Sequence, residues 1–356
     1  MLKKEEFEIL NYIFKTKKDT YTQREISSVT NISFDKVNTT LKELKNKHFL
    51  DDSYKLTKDA FLQLEPYKVD NAIIMAAGTS SRFAPLSYEK PKALLEVKGE
   101  ILIEREILQL KQAGITDITV VVGYMKEKMF YLADKFKVNI VVNKDYYRFN
   151  NTSSLILVTE KLKNTYICSS DNYFTINPFE RYVYRSYYCC VFSKGYTNEY
   201  CVTTNEKERI ESVKIGSENS WYMLGHVFFD KEFSKKFVNI LKKEYSKKEV
   251  YENLWEDLYI KHIKELDMYI RKYSQDEIKE FDSLDELRLF DEKYIFDSNS
   301  KILKNICKVL KCTENEIKNI KPIKSTTKTS FKFEVKGKIY VYRYVIGKEE
   351  NIYRKR

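Results

Sequence analysis

The chain has 356 residues, 43% of them hydrophobic and 32% charged, with a formal net charge of +11. That length leaves room for two or three domains with a sizeable buried core, and the composition is that of an ordinary globular protein. The apolar runs around Ile73 and Val120 fall far short of the ~20 residues of a membrane-spanning helix, and Met-Leu-Lys-Lys-Glu-Glu lacks an apolar signal core, so a cytoplasmic location with no membrane insertion is expected.

The positive charge reads equally as attraction to anionic partners or as lysine-rich solvated faces. Six cysteines, at 168, 189, 190, 201, 307 and 312, form no CxxC pair, which disfavours structural zinc and a disulfide framework. Three scattered histidines give little material for Ser-His-Asp or His-metal chemistry.

In chain order, residues 1–66 read as a small helical unit. Apolar residues at 7, 9, 10, 13 and 14 form a helical stripe; a short helix begins at Thr22; and Phe34 to His48 is a longer helix with apolar positions 34, 37, 41 and 44. Phe49-Leu50 and Tyr54 to Leu56 suggest a short hairpin. Helix, helix, turn, helix and wing resemble the winged-helix modules of bacterial transcription regulators, and the resemblance implies DNA as a partner. Charge nearly balances over this unit, however, and backbone binding to DNA favours an excess of cations. A protein–protein or regulatory role stays equally open.

Residues 70–295 alternate strand and helix: strand 71–76, helix 101–112, strand 118–123, helix 126–136, strand 138–142, helix 152–163, strand 165–170. That order predicts βαβ units around a mixed, mostly parallel sheet in one α/β domain. Short strands follow at 187–193, 199–204, 209–215 and 221–229, then helices at 231–244 and 248–264, a strand at 267–273 and a helix at 283–292. Beyond residue 300 a basic helical stretch (301–319) leads to a hairpin turning at Lys336-Gly337.

The most informative segment follows the first strand. The buried run Ala72 to Ala77 breaks into Gly78-Thr79-Ser80-Ser81-Arg82, with Pro85 and then Lys90-Pro91-Lys92 downstream. Small, hydroxyl-rich chain leaves backbone N–H groups uncovered beside two fixed cations, a combination suited to a polyphosphate. The motif resembles the signature of nucleotidyltransferases that make activated sugars and alcohols, with Ser80 standing where many members carry a second glycine. The resemblance implies a Rossmann-like fold, nucleotide contacts from Ala77, Gly78, Thr79, Ser80, Ser81, Arg82 and Lys92, and catalysis by Arg82, Lys92 and Asp171. Asp171 ends a parallel strand, where such sheets bind ligands. In the resembling family Asp171 and a late Asp, here Asp282, hold Mg2+; taken alone, Asp282 also reads as a helix N-cap. Gly123, Tyr124, Asn151, Ser154 and Ser170 match nucleotide-side segments, and Gly123-Tyr124 and Asn151 read otherwise as a tight turn and a helix cap.

Thr197 to Tyr200, Ser220 to Tyr222 and Leu254 to Leu258 resemble segments of bacterial CTP:phosphocholine cytidylyltransferases, over about 71–293. Aromatic faces attract a quaternary ammonium. The resemblance implies CTP and phosphocholine as substrates, with Tyr173, Tyr200, Tyr222, Trp255 and Glu256 around the choline. Phosphoethanolamine, aminoethylphosphonate or a sugar phosphate are alternative acceptors, and a DNA-binding regulator that senses nucleotide is the alternative class. The hairpin from Ser330 to Arg343 is similar to the first strands of bacterial choline kinases. The glycine-rich loop of those kinases is replaced by Ser325-Thr-Thr-Lys328 and their catalytic lobe is missing, so no kinase activity is expected.

Overall fold

The computed structural model describes residues 1–323, 329–344 and 351–354; the segment Ser325 to Lys328 lies outside them. Four helices come first: α1 (Lys4–Thr16), α2 (Gln23–Thr30), α3 (Phe34–Asn46) and α4 (Lys58–Leu64). Thr22 and Thr57 cap α2 and α4 by accepting the backbone N–H of Glu25 and Ala60. The expected wing is reduced to one bridge between Leu50 and Leu56. Docking on the rest of the chain falls to α1. Asn11 donates to Glu180 at 3.2 Å, Lys15 pairs with Glu180 at 2.6 Å, and Arg271 closes on the same carboxylate. Burial alone would raise the Glu180 carboxyl, but Arg271 and Lys15 hold it down at about 2.

The next elements are β1 (Asn71–Ala76), the two-residue strands β2 (Glu96–Val97) and β3 (Glu100–Ile101), α5 (Leu102–Gln112), β4 (Ile118–Val122), α6 (Tyr131–Phe136), β5 (Asn139–Val142), α7 (Thr152–Leu155), β6 (Thr165–Ser169) and β7 (Asn172–Phe174). They lead into the long strands β8 (Tyr187–Thr204) and β9 (Ile210–Phe229), then α8 (Lys231–Glu244), α9 (Lys248–Tyr251), α10 (Trp255–Lys261), β10 (Tyr269–Tyr273), β11 (Ile278–Glu280), α11 (Leu284–Phe290) and α12 (Lys293–Phe296). Seven strands form one sheet in the order β10-β8-β9-β6-β1-β4-β5. Strands β6, β1, β4 and β5 run parallel, β9 is antiparallel to both β6 and β8, and β10 returns parallel to β8. The mixed, mostly parallel sheet expected from the sequence is present.

Alternation along β1 divides the core. Ala72, Ile74 and Ala76 join α5 and α6 on one face, while Ile73 meets Leu155 and the α8–α10 helices on the other. Where sequence periodicity predicted four strands between 187 and 229, two long strands bend through register shifts at Ser193–Tyr196 and Thr197–Tyr200. The expected helix over 152–163 lasts one turn before tighter winding, with Val158 non-helical at φ −126°.

The C-terminal helix α13 (Lys301–Leu310) stops where Lys311 turns left-handed at φ 49°. Instead of continuing to 319, the chain forms β12 (Lys318–Pro322). With β13 (Thr329–Val335), β14 (Lys338–Tyr344) and β15 (Asn351–Arg354), it makes a four-stranded antiparallel sheet around the expected hairpin. One apolar cluster runs from Phe83, Leu86 and Phe281 into Ile306, Phe331 and Tyr342, so this unit shares a core with the preceding domain.

Among the described residues no helix is long and apolar enough to cross a membrane. Glu180→Ala should cost about 2–3 kcal/mol, the low side for breaking a buried pair because Arg271 keeps some solvent access. It should also speed tryptic cleavage near Lys68, read on a gel time course; unchanged cleavage would show that α1 docks without this cluster.

Candidate active site

The carboxyl ends of β1, β5 and β6 open onto a cleft of about 500 Å³. Its walls include Ala77, Gly78, Thr79, Ser80, Lys92, Asn151, Ser154, Ser170 and Asp171, the larger part of the expected nucleotide set. The loop after β1 winds through short 3-10 turns at Ser81–Phe83, Leu86–Tyr88 and Lys92–Leu94, and Tyr124 donates its N–H to the Ala77 carbonyl at 3.1 Å to hold its start. Ser80, at φ 47°, takes the left-handed conformation in which many nucleotidyltransferases place glycine. Gly123 is required by closeness: a Cβ there would meet Tyr146 at 2.7 Å and the Ala77 carbonyl oxygen at 2.8 Å.

Lys92 lies at the centre. It is 4% exposed, with its ammonium 2.9 Å from Asp171 Oδ2 and 3.8 Å from Glu280 Oε1. Burial opposes its charge, yet the carboxylates of Asp171 and Glu280 hold its pKa above the usual lysine value. Burial would likewise raise Asp171, and the Lys92 ammonium keeps it ionised below its usual range. Glu280 goes the other way: burial and the Asp171 charge push it up to about 8. Sequence reasoning missed Glu280, although period-two alternation places it on the side of Asp282, two residues on.

Asp282 is not the cap of α11. Ser283 takes that role by accepting the Glu286 N–H, which leaves the Asp282 carboxylate to meet Arg82 at 3.0 Å. Arg82 therefore stands outside the cleft wall, with its side chain 72% exposed, and Ser81 is also off the wall. Asp171 Oδ1 is buried without a hydrogen-bond partner, an oxygen donor suited to a hard cation. No group of three or more His, Cys, Asp or Glu among the described residues has metal-binding geometry, so a cation here would take its remaining ligands from phosphate oxygens and water.

Behind the nucleotide side, Asn143 donates to both Ser153 and Ser154 at 2.9 Å and fixes the start of α7. It was not anticipated, and neither was Arg148, an exposed cation on the cleft wall. Tyr124 lies off that wall and donates its hydroxyl to the Ser87 carbonyl at 2.9 Å, bracing the signature loop.

The residues expected around a choline group separate. Trp255 is 2% exposed, stacked on Tyr188 at 5.9 Å and edged by Phe229 and Phe237, so its indole is used in the core. Tyr173 is 7% exposed and already carries Arg105 over its ring at 4.6 Å. Glu256 receives hydrogen bonds from Asn151 at 3.2 Å and Tyr188 at 3.0 Å, and Tyr200 donates to Asp257 at 2.9 Å. Tyr222 faces a second cavity of about 370 Å³, shared with Glu199, Glu280, Asp282 and Glu286. Lys92 thus bridges Asp171 on the first cavity and Glu280 on the second.

A phosphate-suited loop, a buried lysine between carboxylates and a mixed sheet with its site at the strand ends define a nucleotidyltransferase. The model of the MobA-like NTP transferase domain matches residues 72–176. Choline-phosphate cytidylyltransferase of Streptococcus pneumoniae is 36% identical over 221 residues, 62% of this chain and 96% of the relative. The 2-aminoethylphosphonate cytidylyltransferase of Lancefieldella rimae is 32% identical over 232 residues, 64% of this chain and 94% of that protein. A solved structure of the S. pneumoniae CTP:phosphocholine cytidylyltransferase superposes with a TM-score of 0.61, covering 62% of this chain and 97% of that one. The chain belongs to the choline-phosphate cytidylyltransferase family.

Burial pushes the Glu256 carboxyl up to about 7. A carboxyl raised in the folded state contributes stability that is fully present below its unfolded value near 4.5 and is lost as pH rises through about 7. Glu256→Gln should therefore gain on the wild type across that window, by on the order of 2 kcal/mol at pH 8. Thermal melts from pH 5 to 8 measure the gap; a constant gap would contradict the assignment.

Proposed function

We propose that the chain transfers CMP from CTP to phosphocholine, giving CDP-choline and pyrophosphate, with Mg2+ as the supporting cation. The observation that carries this reading is the buried Lys92, ion-paired with Asp171 at the mouth of a cleft lined by the Gly78–Ser80 loop. A phosphate oxygen of phosphocholine attacks the α-phosphorus of CTP, the new P–O bond forms, and the bond to the β-phosphate oxygen breaks to release pyrophosphate. Charge neutralisation and alignment supply the rate.

Loop amides from Gly78 to Ser81 hold the triphosphate, and Lys92 neutralises the α-phosphate in the transition state. Arg82 reaches the leaving phosphates after parting from Asp282. Asn151 and Ser154 lie toward the nucleoside, with Gly123 and Tyr124 bracing that side. Asp171 and Asp282 would hold the Mg2+, which when bound withdraws charge from the phosphates.

On the acceptor side, Tyr222, Tyr200 and Glu256 are the residues we offer to the trimethylammonium group, while Trp255 and Tyr173 are taken up by packing in two different core clusters. The 2-aminoethylphosphonate enzyme at 32% identity and the acidic lining of the second cavity favour a primary-ammonium acceptor as a second reading.

The first 66 residues form a helical unit, read here as a winged-helix relative, that docks through α1 and leaves Phe34, Lys36 and Lys42 of α3 exposed. DNA or a protein partner would meet that face, and salt-dependent retardation of DNA by the full chain separates the two: retardation assigns DNA, its absence a protein or regulatory role.

The central test is pyrophosphate release with CTP, UTP and ATP against phosphocholine, phosphoethanolamine, aminoethylphosphonate and hexose phosphates. CTP with phosphocholine should give the highest kcat/KM, and preference for aminoethylphosphonate would transfer the assignment to that acceptor. Asp171→Ala should lose at least about a thousandfold in kcat while keeping its circular dichroism; near-normal turnover would remove Asp171 from the mechanism.

A further inference from the structure

The signature loop does not stand on its own domain alone. Between Arg82 and Lys92 the chain is held from below by the C-terminal unit at three places. Strand β12 runs beside the turn Ser81–Phe83. Tyr88 donates its hydroxyl to the Ser330 carbonyl on β13 at 3.1 Å. The Glu89 carboxylate accepts the N–H of Ile302 at 2.9 Å in the first turn of α13, while Ser300 caps Leu303. Glu89 therefore satisfies one of the amides a helix start leaves unpaired, where its negative charge is favoured.

The same unit grips the segment that carries Asp282. Arg288 on α11 is 9% exposed and donates to the carbonyls of Tyr294, Glu314 and Ile317. Phe83 and Phe281, neighbours in sequence of the ion-paired Arg82 and Asp282, lie in one apolar cluster with Ile306, Phe331 and Phe333. Both ends of the Arg82–Asp282 pair thus rest on one packed base. The S. pneumoniae relative is spanned almost entirely by 221 of these 356 residues, so more than a third of this chain lies outside that match.

We infer that Tyr88 and Glu89 are positioning residues through which the C-terminal unit sets the placement of Arg82 and Lys92 for nucleotidyl transfer. This rests on the proposed binding of the CTP triphosphate at Gly78 to Lys92. Neither side chain lines the cleft; together they fix the backbone that runs from Arg82 to Lys92. Small misplacements of such groups are costly to rate.

The test uses the full chain with Tyr88→Phe, Glu89→Gln, Glu89→Ala and the Tyr88→Phe/Glu89→Ala pair. The double variant should lose about tenfold in kcat, with the phosphocholine KM within about twofold. Glu89→Gln, whose amide oxygen still accepts the Ile302 N–H, should fall less than Glu89→Ala. Unchanged kcat in the double variant, whatever its melting temperature, overturns the inference. Should the double variant not fold, hydrogen exchange on the wild type decides. CTP should protect the amides of 78–92 and, through Glu89, those of 302 and 303 together. Protection of 78–92 without any change at 302–303 refutes the coupling alone. No protection at 78–92 refutes the CTP site and the inference with it.

Discussion

The structure depends on a lysine placed where water hardly reaches it. Lys92 is 4% exposed and carries its charge between Asp171 and Glu280. Removing an ammonium and a carboxylate from water costs several kcal/mol each before their attraction is counted. Such a pair survives only where surrounding elements fix both partners. Here Asp171 is held at the end of β6, in the middle of the sheet, while the Pro91 turn delivers Lys92. In the proposed reaction a triphosphate entering the cleft would meet a fixed positive charge that needs no reorganisation.

Around that pair the fold divides the work by direction. The parallel strands β6, β1, β4 and β5 offer their carboxyl ends to the cleft, with Asn143 and Asn151 organising the turns behind it. The bent β8–β9 pair and β11 build the acidic second cavity on the other side of Lys92. The flanking units attach at different places. The N-terminal helices dock through Glu180, while the C-terminal sheet lies under the signature loop. One flank therefore bears on the site through packing, and the other leaves Phe34, Lys36 and Lys42 of α3 exposed.

The parallel half of the sheet was legible because β1 and β4 are unbroken apolar runs, and because the loop after β1 combines small residues with cations at fixed spacing. Lys92 belongs to that pattern, while Asp171 was read from its place at the end of a parallel strand and from the family resemblance. The bends in β8 and β9 were not legible, since register shifts follow from which strand lies opposite. Glu280 was missed because a glutamate in Lys-Glu-Phe-Asp looks solvated until β11 pairs with β7. Trp255 was read as a ligand face, but stacking on Tyr188 from a strand distant in sequence places it in the core. The helical reading ran on to Asn319, into the start of β12, because Lys318 to Pro322 has no alternating apolar pattern and gains its strand form from pairing with β13.

A double-mutant cycle on Lys92→Met and Asp171→Asn, read by both unfolding free energy and kcat, tests the buried pair most directly. Lys92→Met alone should destabilise by about 3 kcal/mol by leaving Asp171 and Glu280 without their cation. Adding Asp171→Asn should recover much of that stability, while kcat stays down by about a thousandfold or more. Additive stability effects, or wild-type turnover in the double variant, would contradict a site organised around this ion pair.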